Sequence, residues 1–309
     1  MPLTPPSRDP SRFAPVFVLT TARSYSSVVA TMVGQHPDCA SLPELKLFAY
    51  PTVGEHEASL PRYWSDRGIT HRSPGLVRAV ALLEFGDQLP DALLLARAWL
   101  RARSHWSGAH VFDILMSRLS PRLAVEKSPE NVADDYALTR LASAYPRARY
   151  LHLTRHPVST QRSAAEHLRR TVPGVTVPGQ PMSAIAAWVE THSRILRFAS
   201  SLPKTRYMRI KAEDVLNHPG SSLSSIAAWL GLSTSSEAID AMMHPESSPF
   251  ASPGAPATGI VGGNDPAFLS DPIPRTVSVL PSVQPPAGLE GNSSLWQMTL
   301  DVAARLGYP

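Results

Sequence analysis

The chain has 309 residues, 43% hydrophobic and 17% charged, with a formal net charge of +4. That length can bury a full-sized core, and the composition excludes a disordered chain. No apolar run approaches the ~20 residues that span a bilayer, no dense basic run forms a nucleic-acid arm, and the one cysteine, Cys39, excludes both a disulfide framework and a multi-cysteine metal site.

Residues 1–14 carry four prolines and no apolar periodicity, which predicts a flexible leader. They lack the apolar stretch of a secretory signal, so the cytoplasm is the expected compartment. Pro15–Thr20 is a short β-branched and aromatic run that predicts a buried strand, and after a small polar loop Val28, Val29, Met32 and Val33 fall at helical spacing. Further strands are expected over 122–126, 149–154 and 206–210, each followed by a helical pattern. This alternation predicts an α/β fold: a central parallel sheet of about four to five strands, helices on both faces and right-handed connections.

Residues 74–118 read as a helical insert, and 183–202 as a helix with Trp188, Ile195 and Phe198 among its apolar positions, ending at Leu202-Pro203. From 244 to 290 the chain is rich in Pro, Gly, Ser and Asp, the composition of a lid or linker. A last helix runs through Trp296, Leu300 and Leu306. Residues 15–309 are thus expected to form a single domain, with the insert and the lid shaping a binding pocket.

The loop Thr20–Ser27 places hydroxyls and one fixed cation where a helix N-terminus exposes unpaired N–H groups, a setting that binds phosphate. It lacks the Gly-x-x-x-x-Gly-Lys-Ser/Thr pattern, which disfavours an ATP or GTP hydrolase or a kinase. Arg23 can hold two oxygens with its planar fork, and Ser24, Ser26 and Ser27 offer hydroxyls. A second loop follows the strand at 149–154: Arg155 stands at the strand end, Pro157 can open a helix, and Ser163 lies eight positions beyond Arg155.

The Ala22–Ser27 loop, taken together with Arg155 and Ser163, resembles the sulfotransferases that use 3′-phosphoadenosine-5′-phosphosulfate (PAPS). The similarity is greatest to bacterial sulfotransferases of natural-product pathways, including those of olefin-forming polyketide synthases. It extends over about residues 15–275, through Leu42-Pro43-Glu44-Leu45, Glu126-Lys127-Ser128-Pro129-Glu130-Asn131, Trp188 with His192, Met243–Pro249, and Gly262-Gly263-Asn264-Asp265-Pro266. The resemblance implies that Arg23, Ser24, Tyr25, Ser26 and Ser27 hold the 5′-phosphosulfate end and that Arg155 and Ser163 hold the 3′-phosphate. Gly262 and Gly263 join the nucleotide-binding set. Many relatives have Gly where Tyr25 stands and Tyr where Ala212 stands, and a His that some relatives carry near Asn131 is missing.

Sulfuryl transfer is an in-line displacement in which a protein must position the reactants, deprotonate the acceptor and stabilise the leaving oxygen. The resemblance assigns the last task to Lys127, with Arg23 as the other cation. Two residues compete for the base, Glu44 and His192, and the sequence does not separate them. PAP is the expected product and no metal is expected. The acceptor is expected to be a hydroxyl on a small molecule or on a chain tethered to an acyl carrier protein, with no nucleic-acid or membrane partner. A non-catalytic PAPS-binding protein and a kinase-like nucleotide-dependent transferase are the alternatives.

Overall fold

The run at 15–20 forms β1 (Val16–Leu19), whose four side chains are fully buried, as in a strand covered on both faces. The computed structural model describes residues 3–59, 73–171, 180–286 and 293–309. After β1 come α1 (Ser26–Gly34), β2 (Cys39–Ser41), β3 (Leu123–Glu126), β4 (Arg149–Thr154) and β5 (Tyr207–Lys211), and all five strands are parallel in the order β2-β3-β1-β4-β5. The sheet is the one expected, at the upper end of the expected strand number. β2, only three residues long, is the strand that the sequence did not reveal.

Successive side chains of β1 point to opposite faces and divide the core in two. Phe17 and Leu19 enter one cluster with the helices Pro74–Phe85, Pro90–Arg101 and Gly108–Leu119. Val16 and Val18 enter the other with α1 and the helices Ala212–Asn217 and Pro219–Leu230. Phe17 sits among Phe48, Phe112, Tyr145 and Tyr150 at centroid distances of 5.6 to 6.3 Å. Such aromatic pairs add about 0.5–1.5 kcal/mol each beyond the area they bury. The helices at 74–119 therefore pack on one face of the sheet, beside Leu138, Leu141 and Ile195.

Residues 3–14 form no helix or strand, but Arg8 Nε donates to Asp113 Oδ2 at 2.5 Å and Phe13 packs on the first cluster. The long helix expected at 183–202 runs over Gln180–Ala199. Within 244–286 the chain makes a short antiparallel pair, Gly254–Ala255 with Ile260–Val261, and one helical turn at Pro266–Ser270. Asn217 ties this segment to the body through Val277, donating to its carbonyl at 3.0 Å and accepting from its N–H at 2.8 Å. Residues 287–290 of the expected lid lie outside the described residues. The last helix, Ser293–Leu306, packs Val302 and Leu306 against Ile185 and Trp188.

Candidate active site

β1 pairs with β4 in a register that sets Leu19 beside His152, so the loops that follow the two strands open side by side at the carboxyl edge of the sheet. Ligands of open α/β sheets bind at that edge. In the loop after β1, Arg23 and Tyr25 take left-handed backbone conformations, φ 68° and 58°. Each such non-glycine residue costs on the order of 1 kcal/mol and persists only where its surroundings hold it.

The surroundings here are Arg155. Its guanidinium lies 3.9 Å from the Tyr25 ring centroid, and its N–H groups donate to the Tyr25 hydroxyl at 2.8 Å and to the Arg23 carbonyl at 2.6 Å. Tyr25 thus has a physical role in the loop, since its ring and its hydroxyl both engage the Arg155 guanidinium. Tyr25 provides the N-terminal boundary of α1 without a side-chain cap, which leaves the first turn, Ser26 and Ser27 included, open to an anion. Behind it, the Thr21 and Ser24 hydroxyls bond each other at 2.8 Å.

Arg23 Nε donates to the Ser163 hydroxyl at 3.3 Å, and the same guanidinium is ion-paired with Asp265. Arg23 through Ser27, Arg155 and Ser163 line one cavity of about 570 Å³. The two anion loops therefore form one continuous wall. The same cavity is lined by Arg170, paired with Glu166 at 2.8 Å, and by Arg275, paired with Asp271. Arg23 was expected at the phosphosulfate end alone, whereas its side chain reaches toward Ser163, and α1's N-terminus lies nearer the third group of residues.

That third group follows β3. Lys127 is 1% exposed, and its Nζ donates to the Ser27 hydroxyl at 2.9 Å and to Glu44 Oε1 at 2.5 Å. Lys127 is thus no surface charge and stands one hydrogen bond behind the cavity wall. Burial opposes the charge on Glu44, but Lys127 and then Lys46 outweigh it and hold the carboxyl below the usual carboxylate range. Lys46 also pairs with Glu130 at 2.7 Å.

Gly262 and Gly263, expected against the nucleotide, do not line the cavity. They are at φ 103° and 93°, and a Cβ on Gly263 would meet the Gly75 Cα at 2.5 Å, while one on Gly75 would meet the Glu44 carbonyl at 2.5 Å. The Gly263 carbonyl accepts from the Glu44 N–H at 2.6 Å. This pair therefore serves the Glu44 segment. Two residues on, the Asp265 N–H donates to the Ser27 hydroxyl at 2.9 Å, so one strip of chain touches both Glu44 and the anion loop.

His192 is not brought to the site. It is fully buried, its Nδ1 lies 2.8 Å from His152 Nε2, and His152 in turn meets the Tyr207 hydroxyl at 2.7 Å. Burial depresses its pKa to about 3, so the ring is neutral and shielded from any acceptor. The same helix supports the site differently: Trp188, edge-on to His192, donates its indole N–H to the Arg155 carbonyl at 2.9 Å. The acidic pair after Ala212 has a similar role, since Glu213 accepts from the His156 N–H at 2.8 Å.

Sequence reasoning missed the part played by Glu126. It is 1% exposed and accepts from the Leu45 N–H, the Ser128 hydroxyl and the Asn131 amide. The sequence signal was a carboxylate at the inner end of a buried strand. Among the described residues no group of three or more His, Cys, Asp and Glu is placed to hold a metal ion.

The loops after β1 and β4 line one cavity at the carboxyl edge of a parallel sheet, and beside it a lysine after β3 pairs with a carboxylate after β2, the layout of an α/β protein that takes its ligand at that edge. The family is then fixed by its sequence model: residues 15–236 match the sulfotransferase family, so the chain belongs to that family and is a sulfotransferase. In fold it is similar to the sulfotransferase domain from the curacin biosynthetic pathway, with a TM-score of 0.76 and 22% identity over 97% of this chain and 99% of that one. It is likewise similar to the sulfotransferase domain from the Synechococcus PCC 7002 olefin synthase, with a TM-score of 0.69 and 23% identity over 99% of this chain and 98% of that one. No curated protein matches it in sequence.

Proposed function

We propose that the protein transfers the sulfuryl group of PAPS to a hydroxyl of a natural-product acceptor, with Glu44 as the general base and Lys127 as the cation at the leaving oxygen. The observation that carries this reading is the chain of contacts from the cavity wall to a base: Ser27, Lys127 and Glu44 in series, 2.9 and 2.5 Å apart. Arg155 and Ser163 would hold the 3′-phosphate, with Arg23 beside them. Ser24, Ser26 and Ser27 at the start of α1 would hold the 5′ end.

In the reaction the acceptor oxygen forms its bond to sulfur as the bond from sulfur to the 5′-phosphate oxygen breaks. The acceptor's proton goes to Glu44, and the departing oxygen carries its negative charge toward Lys127. A carboxylate held below its usual pKa is a weak base. However, the lysine that depresses Glu44 most is the one the leaving oxygen attracts, so as Nζ turns to the donor Glu44 keeps only the more distant Lys46 and gains proton affinity. Donors placed where charge develops are typically worth about 10²–10³ in rate. No step calls for a metal.

The acceptor is a small molecule or a hydroxyacyl chain tethered to an acyl carrier protein. The two similar domains come from a biosynthetic pathway and from an olefin synthase, which supports the tethered form. The helices at 74–119 and the segment 244–286 would shape its pocket, since inserted segments carry specificity on such scaffolds. Among the described residues no helix is long and apolar enough to cross a membrane.

The test is incubation with PAPS labelled in sulfur and a panel of phenols, alcohols and carrier-bound hydroxyacyl groups. Labelled sulfate ester on at least one acceptor is expected. PAP binding without transfer to any acceptor or to water would leave a nucleotide-binding protein and refute the enzymatic reading.

A further inference from the structure

Four consecutive residues at the end of β3 each grip one residue of the segment that carries Glu44. The Val125 carbonyl accepts from the Leu42 N–H at 2.9 Å, Glu126 Oε1 from the Leu45 N–H at 3.3 Å, and the Ser128 hydroxyl from the Lys46 N–H at 2.9 Å. Between them Lys127 holds the Glu44 carboxylate itself. Lys46 sits at φ 57°, a conformation worth about 1–3 kcal/mol of strain for a side-chain-bearing residue, so the path of the segment is imposed by these grips.

Glu126 is the hub of the arrangement. Besides Leu45 it accepts from the Ser128 hydroxyl and, at 2.6 Å, from the Asn131 amide. All three groups donate, so the pocket is shaped for a carboxyl that accepts on both oxygens. The ammonium next to it in sequence does not serve as its partner, because Lys127 Nζ is turned to Ser27 and Glu44. Burial raises the Glu126 pKa to about 7 against the pull of those hydrogen bonds and of Lys127. A fully buried carboxyl with no ion-pair partner among the described residues is an expensive way to fill a core, which asks for a role beyond filling it.

We infer that Glu126 is a positioning residue for sulfuryl transfer: by accepting from Leu45 and fixing Ser128, it holds Glu44 against Lys127 in the geometry from which Glu44 takes the acceptor's proton. The inference rests on Glu44 being the base. It concerns the Glu44 segment alone, since Glu126 bonds none of the residues that wall the donor cavity. The hydrogen bonds carry the effect, and glutamine can reproduce them. Its carbonyl can accept from Leu45 and Ser128, and its amide can donate to Asn131 Oδ1, which has no partner at present, once the asparagine amide turns over.

The test uses the 309-residue chain, labelled PAPS with water as the acceptor, and PAP binding by calorimetry. Glu126→Leu is expected to slow sulfate release by about tenfold or more with the PAP Kd changed by less than about twofold, while Glu126→Gln stays within about threefold of the parent rate. Ser128→Ala, which keeps the carboxyl but loses the Lys46 grip, is expected to be slowed as well, and it serves if Glu126→Leu does not fold. A parent-like rate in Glu126→Leu and Ser128→Ala, an equally slow Glu126→Gln, or a parallel loss of PAP binding overturns the inference. Glu44→Gln separates the two layers: if it is slow while Glu126→Leu is fast, positioning alone fails, and if it is fast, the base assignment fails with it. Should release to water be too slow to measure, a crystal structure of Glu126→Leu decides, since an unmoved 42–46 segment rejects the role.

Discussion

His192→Phe distinguishes a buried structural ring from a catalytic base. Phenylalanine keeps most of the volume beside Trp188 but removes the bond to His152, leaving His152 Nε2 buried without a partner. At pH 7.5 that orphaned group costs about 1–3 kcal/mol. The pH dependence is the sharper readout. His192 takes its proton at about 3 in the folded chain against 6.5 when unfolded, so below pH 6.5 the unfolded state binds the extra proton and folding stability falls with pH. Between pH 6.5 and pH 5 the loss from this group approaches about 2 kcal/mol, at 1.36 kcal/mol per pH unit. The variant lacks that loss, so the stability gap between parent and variant should narrow by roughly that amount from pH 7.5 to pH 5. Urea unfolding at the two pH values measures it, and sulfuryl transfer at pH 7.5 should fall by no more than the folded fraction does. A gap that stays constant with pH would show that His192 is not held neutral in the fold. A variant fully folded but inactive would return His192 to the mechanism.

Arg155→Ala should weaken PAP binding by about 2–3 kcal/mol, on the order of a hundredfold, because a charge-assisted contact to a phosphate is lost. ATP, which lacks the 3′-phosphate, should notice far less, and equal losses for both nucleotides in calorimetry would contradict the role of Arg155. Lys127→Ala should lower turnover by about a hundredfold while leaving PAP affinity nearly intact. The same change removes the first cation that depresses Glu44, so the acid limb of the remaining activity should move to higher pH. A pH profile that does not move would separate Glu44 from Lys127.

Much of the frame was legible because buried parallel strands read as short apolar runs. Val16–Leu19 and Arg149–Thr154 stood out for that reason, and with them the two loops whose residues meet at the cavity. β2 escaped because Cys39, Ala40 and Ser41 are neither β-branched nor aromatic and are too few to show a period. The union of the two anion loops was only half visible. Arg23 and Ser163 are 140 positions apart, and their contact follows from β1 lying beside β4, a fact of strand order rather than of pattern. His192 misled for a related reason: a helix shows which of its residues face inward, not whether that interior is a cleft or a core. The partners of Gly262 and Gly263 were hidden likewise, since positive φ and close approach are local needs, while the neighbour that demands them, Gly75, comes from a distant helix.

The strand order also accounts for the division of labour in the site. β1 stands between β3 and β4, so the segments after all three open at one edge of the sheet, with α1's N-terminus between the other two. The segment after β4 supplies Arg155 to the cavity wall, the segment after β3 supplies Lys127, and the segment after β2 supplies Glu44 beside it. Ser27 is where the two halves touch: its hydroxyl accepts from Lys127 and from the Asp265 N–H while its residue lines the cavity. An anion arriving at α1 therefore meets the hydroxyl that helps hold Lys127. Loss of that hydroxyl should loosen the lysine more than it weakens nucleotide binding, because the open turn of α1 still offers its N–H groups to the phosphate. In the proposed reaction, binding and transfer are thus assigned to segments set apart by the order in which three parallel strands lie side by side.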